Sequence, residues 1–174
     1  KREMRGVAKV NHIGENARYT EHGLNNFESW LKDDKSDVIL FNCGLWDLVY
    51  RLPTTEGYGK KDKIHGVQYT SIDAYENNLE KLVEKLKKTE AKLFFVTTSY
   101  IPDNEPGMYA EDAIKYNEVA KSVMKRHDVE VIDIYDKSRQ VHKLYGKGKD
   151  NVHYSKRGYH ELGKHISFFL KEVL

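Results

Sequence analysis

Two residues near the end of the chain have the types and the spacing of a general base and its partner. Asp150 lies three residues before His153, in the tetrad Asp-Asn-Val-His. An imidazole that accepts a proton needs a neighbouring group to fix its tautomer and to stabilise the imidazolium, and a carboxylate at this spacing can fold back onto the ring. The tetrad therefore predicts a catalytic base, His153, oriented by Asp150. On spacing alone, an Asp in a turn beside a solvated His is the alternative.

The segments around this tetrad place His153 at the edge of a predicted sheet. Residues 145–149 are rich in glycine and lysine and suit a loop, and Ser155 suits the cap of a helix that follows. A second motif, Gly-Leu-Trp-Asp at residues 44–47, comes just after the apolar run that ends at Phe41. We expect the two motifs to meet at one rim of the fold.

Composition limits the classes of protein to which the chain can belong. Its 174 residues suit a single domain, residues 1–174, with a sizeable core. The 29 Lys and Arg residues are interspersed with 27 Asp and Glu residues, so we expect no nucleic-acid partner. The single cysteine, Cys43, excludes an intrachain disulfide and a cysteine-based zinc site. No segment suits a membrane span or an N-terminal signal region.

Apolar runs alternate with helical patterns along the chain. The predicted strands are residues 7–10, 38–41, 93–96 and 129–134, and the predicted helices are residues 24–31, 72–88, 111–126 and 156–173. Strands that alternate with helices pair in parallel through right-handed crossovers. The sequence therefore predicts an α/β fold, a flavodoxin-like three-layer sandwich with a mostly parallel sheet, and a site beyond the carboxyl ends of its strands.

The order of these motifs resembles the SGNH (GDSL-type) hydrolase and esterase family over nearly the whole chain. The shared features are a Gly-x-x-Asp turn after a strand, a strand ending in Thr-Thr-Ser, a helix carrying Tyr-Asn and a closing Asp-x-x-His. The resemblance implies a serine esterase in which Asp150 and His153 belong to a Ser-His-Asp triad, with no cofactor and no metal. The implied substrate is a small-molecule or glycan ester, and we expect an acetyl ester of a carbohydrate.

The resemblance also assigns an oxyanion or substrate-binding role to the turn at Gly44. The family's Gly-x-Asn-Asp turn matches Gly44 and Asp47, but Trp46 stands where the family's Asn would donate a hydrogen bond. Asn42 and Asn16 are the candidates to replace that donor. The sequence around Trp46 looks like a subgroup of the family in which an aromatic residue or a His takes this place.

The family's nucleophile has no counterpart in these residues. It lies in a Gly-Asp-Ser turn after the family's first strand, and no Gly-Asp-Ser occurs here. The chain starts at Lys1 without an initiator Met, so we expect a longer natural protein that supplies the missing first strand and the serine. Without that interior strand, we expect the chain not to fold stably by itself. A signal peptide would precede Lys1, so cytoplasm and export both stay open.

Residues within the chain offer weaker alternatives. Ser99 follows the third strand without a tight turn to expose it, and Cys43 suits burial beside an apolar strand. His160 and His165 are five residues apart on a predicted helix and do not share a face for a metal. The alternative function is a catalytically inactive SGNH-like domain that binds a glycan or a protein. A nucleotide-binding domain is disfavoured, because no glycine-rich phosphate loop follows a predicted strand.

Overall fold

Helices and strands alternate along the chain in the computed structural model, which describes residues 1–32, 35–53 and 59–174. The helices are α1 (Thr20–Leu31), α2 (Ile72–Lys87), α3 (Ala110–Arg126), α4 (Tyr135–Tyr145) and α5 (Lys156–Val173). The strands are β1 (Val38–Phe41), β2 (Tyr50–Arg51), β3 (Val67–Gln68), β4 (Lys92–Val96) and β5 (Glu130–Ile132). None of the helices in these ranges combines the length and apolarity needed to cross a bilayer.

A parallel sheet with the strand order β1, β4, β5 forms the middle layer. The side chains of β4 alternate between its two faces. Leu93 and Phe95 join the core cluster that includes side chains of α1, α2 and α3, whereas Phe94 and Val96 join a second cluster with Leu170 of α5. Helices therefore cover both faces of the sheet, which confirms the predicted α/β class.

Helices α2 and α5 begin where the sequence provides their caps. The Ser71 hydroxyl accepts a hydrogen bond from the backbone N–H of Ala74, and the Ser155 hydroxyl accepts one from Gly158, both at 3.3 Å. Each hydroxyl satisfies a backbone donor that the first turn of a helix leaves free. The predictions of α2, α3 and α5 are confirmed to within one residue.

The predicted strand at residues 7–10 is wrong. Val7 and Val10 are 51% and 37% exposed, and this segment pairs with no strand in the described part of the chain. A short run that buries so little apolar surface cannot offset the entropy of ordering it without a partner strand.

Two further boundaries differ from the sequence predictions, and some elements were not predicted. Helix α1 starts at Thr20, four residues early, and β5 ends at Ile132, two residues early. Beyond Ile132, the Thr97 hydroxyl accepts the Ile134 N–H at 2.9 Å and takes the place of a further strand residue. Helix α4 and the antiparallel ribbon of β2 and β3 were not predicted, because both bury few apolar side chains.

Candidate active site

The carboxyl ends of β1 and β4 are joined by side-chain contacts just beyond the strands. Asn42 follows β1, and its side-chain amide donates to the carbonyl oxygen of Val96, the last residue of β4, at 2.6 Å. The next carbonyl oxygen, that of Cys43, accepts hydrogen bonds from the Tyr75 hydroxyl at 3.0 Å and the Thr98 hydroxyl at 3.2 Å. These contacts fix where the chain turns away from β1.

The turn itself requires glycine at position 44. Gly44 has a φ of +147°, which side-chain-bearing residues rarely adopt, and an added Cβ would overlap with the Thr98 hydroxyl oxygen. The Gly44 carbonyl oxygen accepts the N–H groups of Asp47 at 2.9 Å and Leu48 at 3.0 Å. The backbone at Gly44 is therefore held closely against the segment after β4.

Asp47 anchors this turn to the start of α1. Its side chain is fully buried, and its Oδ1 accepts both the backbone N–H of Thr20 at 2.9 Å and the Thr20 hydroxyl at 2.6 Å. Thr20 is the first residue of α1, where a carboxylate is favoured by the helix dipole. Burial nevertheless outweighs these hydrogen bonds and raises the pKa of Asp47 to about 6.

His153 lies on a loop that is closed by backbone hydrogen bonds. The Lys147 N–H donates to the His153 carbonyl oxygen at 2.9 Å, and the Ser155 N–H donates to the Tyr145 carbonyl oxygen at 2.8 Å. The His142 ring nitrogen Nε2 lies 2.7 Å from the carbonyl oxygen of Asn151 and ties the loop to α4. These contacts fix the backbone conformation around His153. The His153 side chain itself is exposed.

The nearest partner of the His153 ring is Asn151. Its Oδ1 lies 2.8 Å from Nδ1 of His153 and also accepts the His153 backbone N–H at 2.9 Å. Because an amide oxygen only accepts, this contact places the ring proton on Nδ1 and leaves Nε2 able to take a proton. Asp150 is exposed, and no hydrogen bond or ion pair joins it to His153 in the described residues.

A cleft of about 580 Å³ collects most of the residues that the sequence singled out. Asn16, Asn42, Gly44, Trp46 and His153 all line it. Asp47 lies beneath it, fully buried, and Asp150 lies outside it. The prediction that the two motifs meet at one rim is thus confirmed for Gly44 and His153, while the predicted pair of Asp150 with His153 stays a prediction.

Two other potential nucleophiles line the same cleft. Cys43 is buried, and burial, with a smaller effect of the Asp47 charge, raises the pKa of its thiol well above the ordinary value. A thiol held protonated is a poor nucleophile. Ser99 also lines the cleft, but it makes no hydrogen bond with His153 in the part of the chain that the structure describes.

The apolar lining of the cleft was not identified from the sequence. Leu162 and Ile166 of α5 line it together with Leu40 of β1. The apolar stripe of α5 indicated only that these residues belong to a core. Their place in the cleft depends on how α5 packs against the sheet, and local spacing does not contain that information.

The described ranges contain no group of three or more His, Cys, Asp or Glu side chains that could hold a metal ion. The candidate site consists instead of an imidazole, amide side chains and the backbone at Gly44. Such a set can transfer protons and donate hydrogen bonds to a developing oxyanion.

The fold is shared with solved ester hydrolases. An acetylxylan esterase from Geobacillus stearothermophilus has a TM-score of 0.67 at 20% identity, covering 87% of this chain and 67% of the esterase. A lipase/acylhydrolase from Enterococcus faecalis has a TM-score of 0.68 at 22% identity, covering 90% and 72%. A GDSL-like lipase from Bacteroides thetaiotaomicron has a TM-score of 0.63 at 13% identity, covering 91% and 74%. These similarities establish the α/β fold of this class of hydrolase.

The chain belongs to the GDSL-like Lipase/Acylhydrolase family, whose sequence model matches residues 2–161. This match confirms the resemblance found in the motifs. Among curated proteins, none matches the sequence. The family is one of ester hydrolases, and the mechanism and the substrate have to be argued from this chain's own residues.

Proposed function

We propose that the protein hydrolyses carboxylic esters with His153 as the general base and with a serine that precedes Lys1 as the nucleophile. The observation that carries this proposal is the hydrogen bonding and the position of the His153 ring. Its Nδ1 is engaged by Asn151, and the residue lines the cleft beside Gly44. An imidazole in that state can take a proton at Nε2 from a hydroxyl placed in the cleft.

The free edge of β1 supports the position of the serine. In the described residues β1 pairs only with β4, so its other edge carries unpaired backbone groups. Leu40 of β1 is 42% exposed and lines the cleft together with Leu162 and Ile166 of α5. A parallel strand would pair with the edge, cover Leu40 and end near Gly44 and His153. A serine just beyond such a strand would be close to the imidazole.

The reaction would then proceed by acyl transfer. The serine Oγ attacks the ester carbonyl carbon as its proton moves to Nε2 of His153. The tetrahedral intermediate collapses to an acyl-enzyme, and the same proton passes to the departing alkoxide. A water molecule then attacks the acyl-enzyme carbonyl as His153 takes its proton. The acid is released, and His153 passes that proton to the serine oxygen. Asp150, or Asn151 in the arrangement seen here, keeps the ring in the required tautomer.

Gly44 and Asn16 are the proposed donors to the oxyanion. The Gly44 N–H makes no backbone hydrogen bond among the described residues. Asn16 uses its Oδ1 to accept the Arg18 N–H at 2.8 Å, which leaves its amide hydrogens available. Asn42 is less suited, because one of its two amide hydrogens is engaged by Val96. Loss of one such donor costs about 2.7–4 kcal/mol of transition-state stabilisation.

An acetyl ester of a carbohydrate is the proposed substrate. The acetylxylan esterase with the same fold supports this choice, and so does the position of Trp46 in the cleft. Trp46 is half-buried, and the Arg51 guanidinium lies 5.5 Å from its ring centroid. An aromatic ring held in this way offers an apolar face on which a sugar can pack.

Turnover of p-nitrophenyl acetate tests the proposal, measured with protein expressed from the natural start of its reading frame. His153→Ala should lower kcat/KM by at least about 10³-fold, because the base and later acid of the reaction is removed. His165→Ala is the matched control, since His165 is also on the C-terminal part of the chain but does not line the cleft. Equal activity of the wild type and His153→Ala would refute the proposal.

A catalytically inactive binding domain is the second candidate. It is favoured by Trp46, which lies in the cleft where the family places an oxyanion donor. It predicts no turnover by the wild type and a saturable affinity for a neutral oligosaccharide that is lost in Trp46→Ala. Turnover that depends on His153 would exclude this candidate.

A further inference from the structure

A second cleft lies on the other side of the loop that carries His153. Its volume is about 740 Å³, and it is formed by α4, the segment after β4 and the loop before Asp150. The polar and aromatic lining residues used below are Tyr100, Asn104, Arg139, Gln140, Lys143 and Lys149. Ser99 lines the first cleft and its neighbour Tyr100 lines the second, so the two clefts are adjacent.

The charge of this cleft is cationic. Arg139, Lys143 and Lys149 line it together with a single carboxylate, that of Asp103. In the described residues none of these three cations takes part in an ion pair. The three side chains therefore give this concave surface a net positive charge.

The spacing of two of these cations favours a bound anion. Arg139 and Lys143 are four residues apart on α4, so they share one helix face and repel each other. Lys143 gains from its position in the last turn of the helix, where a cation is stabilised by the dipole. An anion held by Arg139 and Lys143 would offset the repulsion between them.

The remaining lining groups suit a sugar. The Arg139 guanidinium can hold a carboxylate through two parallel hydrogen bonds. Asn104 and Gln140 supply amides that donate to and accept from hydroxyl groups, and Tyr100 supplies an aromatic ring. A carboxylate, several hydroxyls and an apolar ring face occur together in a uronic acid.

We infer that this cleft binds a uronic acid residue of an oligosaccharide, next to the residue that carries the ester. That the bound sugar belongs to a substrate rests on the proposed esterase function. The loop before His153 forms part of this cleft, because Gly148 lines it and the Asp150 carboxylate lies against Gly148. His142, another lining residue, holds the Asn151 carbonyl, and the Asn151 side chain holds His153.

The test is equilibrium binding of unesterified trigalacturonic acid, measured by isothermal titration calorimetry, with xylotriose as the neutral comparison. The wild type should bind trigalacturonic acid more tightly than xylotriose, and the affinity should fall as salt is added. Arg139→Ala combined with Lys143→Ala should raise Kd at least about tenfold, since hydrogen bonds to charged groups are lost. Both residues lie on the surface of α4, outside its buried positions, so the variant should keep its fold, which circular dichroism would verify.

The matched control combines Lys81→Ala with Lys171→Ala. These lysines are exposed on α2 and α5, and neither lines the cleft. An equal loss of affinity in the control, equal binding of xylotriose, or displacement of the trisaccharide by inorganic phosphate at the same concentration would overturn the inference. The measurement involves no turnover. Failure of the esterase proposal would instead appear as inactivity of the wild type on p-nitrophenyl acetate.

Discussion

Replacing Asp47 with asparagine should change how the stability of the protein depends on pH. Burial raises the pKa of Asp47 from the ordinary 3.8 to about 6 in the folded state. The folded protein therefore binds this proton more tightly than the unfolded chain does. The stabilisation that the protonated Asp47 gives to the folded state is fully present below pH 3.8 and is lost as the pH rises through about 6.

The size of the effect follows from the width of that window. Each pKa unit corresponds to about 1.36 kcal/mol, so Asp47 should remove about 3 kcal/mol of stability between the low and the high end of the window. An asparagine at this position would not titrate, and its amide oxygen can still accept the two hydrogen bonds from Thr20. The variant should therefore lack this part of the pH dependence and keep the anchor to α1.

Urea unfolding at a series of pH values, followed by circular dichroism, measures this difference. The free energy of unfolding of Asp47→Asn, relative to the wild type, should rise by about 2.5 kcal/mol as the pH goes from about 4 to about 7.5, the remainder of the effect lying below pH 4. Asp37→Asn is the control, because Asp37 is exposed and its side chain makes no hydrogen bond among the described residues. Parallel pH profiles for Asp47→Asn and the wild type would refute the reasoning.

Three further substitutions test the geometry around the site. Gly44→Ala should lower the free energy of unfolding by at least about 2 kcal/mol, because the positive φ and the overlap with Thr98 add together; an unchanged melting temperature would contradict this. Asn117→Ala should cost about 2–4 kcal/mol in urea unfolding, because the buried Asn117 amide satisfies both the N–H and the carbonyl oxygen of Thr98. Ser71→Ala should cost about 1 kcal/mol through the lost cap of α2, and Ser71→Asp should restore it.

Elements with local signals could be predicted from the sequence. Helices α2 and α5 each have a serine cap and an apolar stripe within the element itself, and both were placed to within a residue. Helix α1 was predicted to start four residues late, because the group at its N-terminus is the Asp47 carboxylate, 27 residues away. Helix α4 has only Ser138 and Val141 buried, so its sequence carries little helical periodicity.

In the candidate site too, the residues of local motifs could be predicted and those placed by long-range packing could not. Gly44 and His153 stand in short motifs with a chemical reason for each residue, and the structure brings both to one cleft. The contact between Asn151 and His153 was not predicted, because the carboxylate of Asp150 is the stronger partner on chemical grounds alone. The wall formed by Leu162 and Ile166 depends on the packing of α5 against the sheet. Long-range packing of this kind is not encoded in local spacing.

Labelling with a fluorophosphonate probe, followed by peptide mass spectrometry, tests the central proposal most directly. The protein used should be expressed from the natural start of its reading frame. The account predicts that one serine upstream of Lys1 is labelled, that turnover of p-nitrophenyl acetate is lost in proportion, and that His153→Ala prevents the labelling. Labelling of Ser99, or full activity without labelling of any serine, would contradict it.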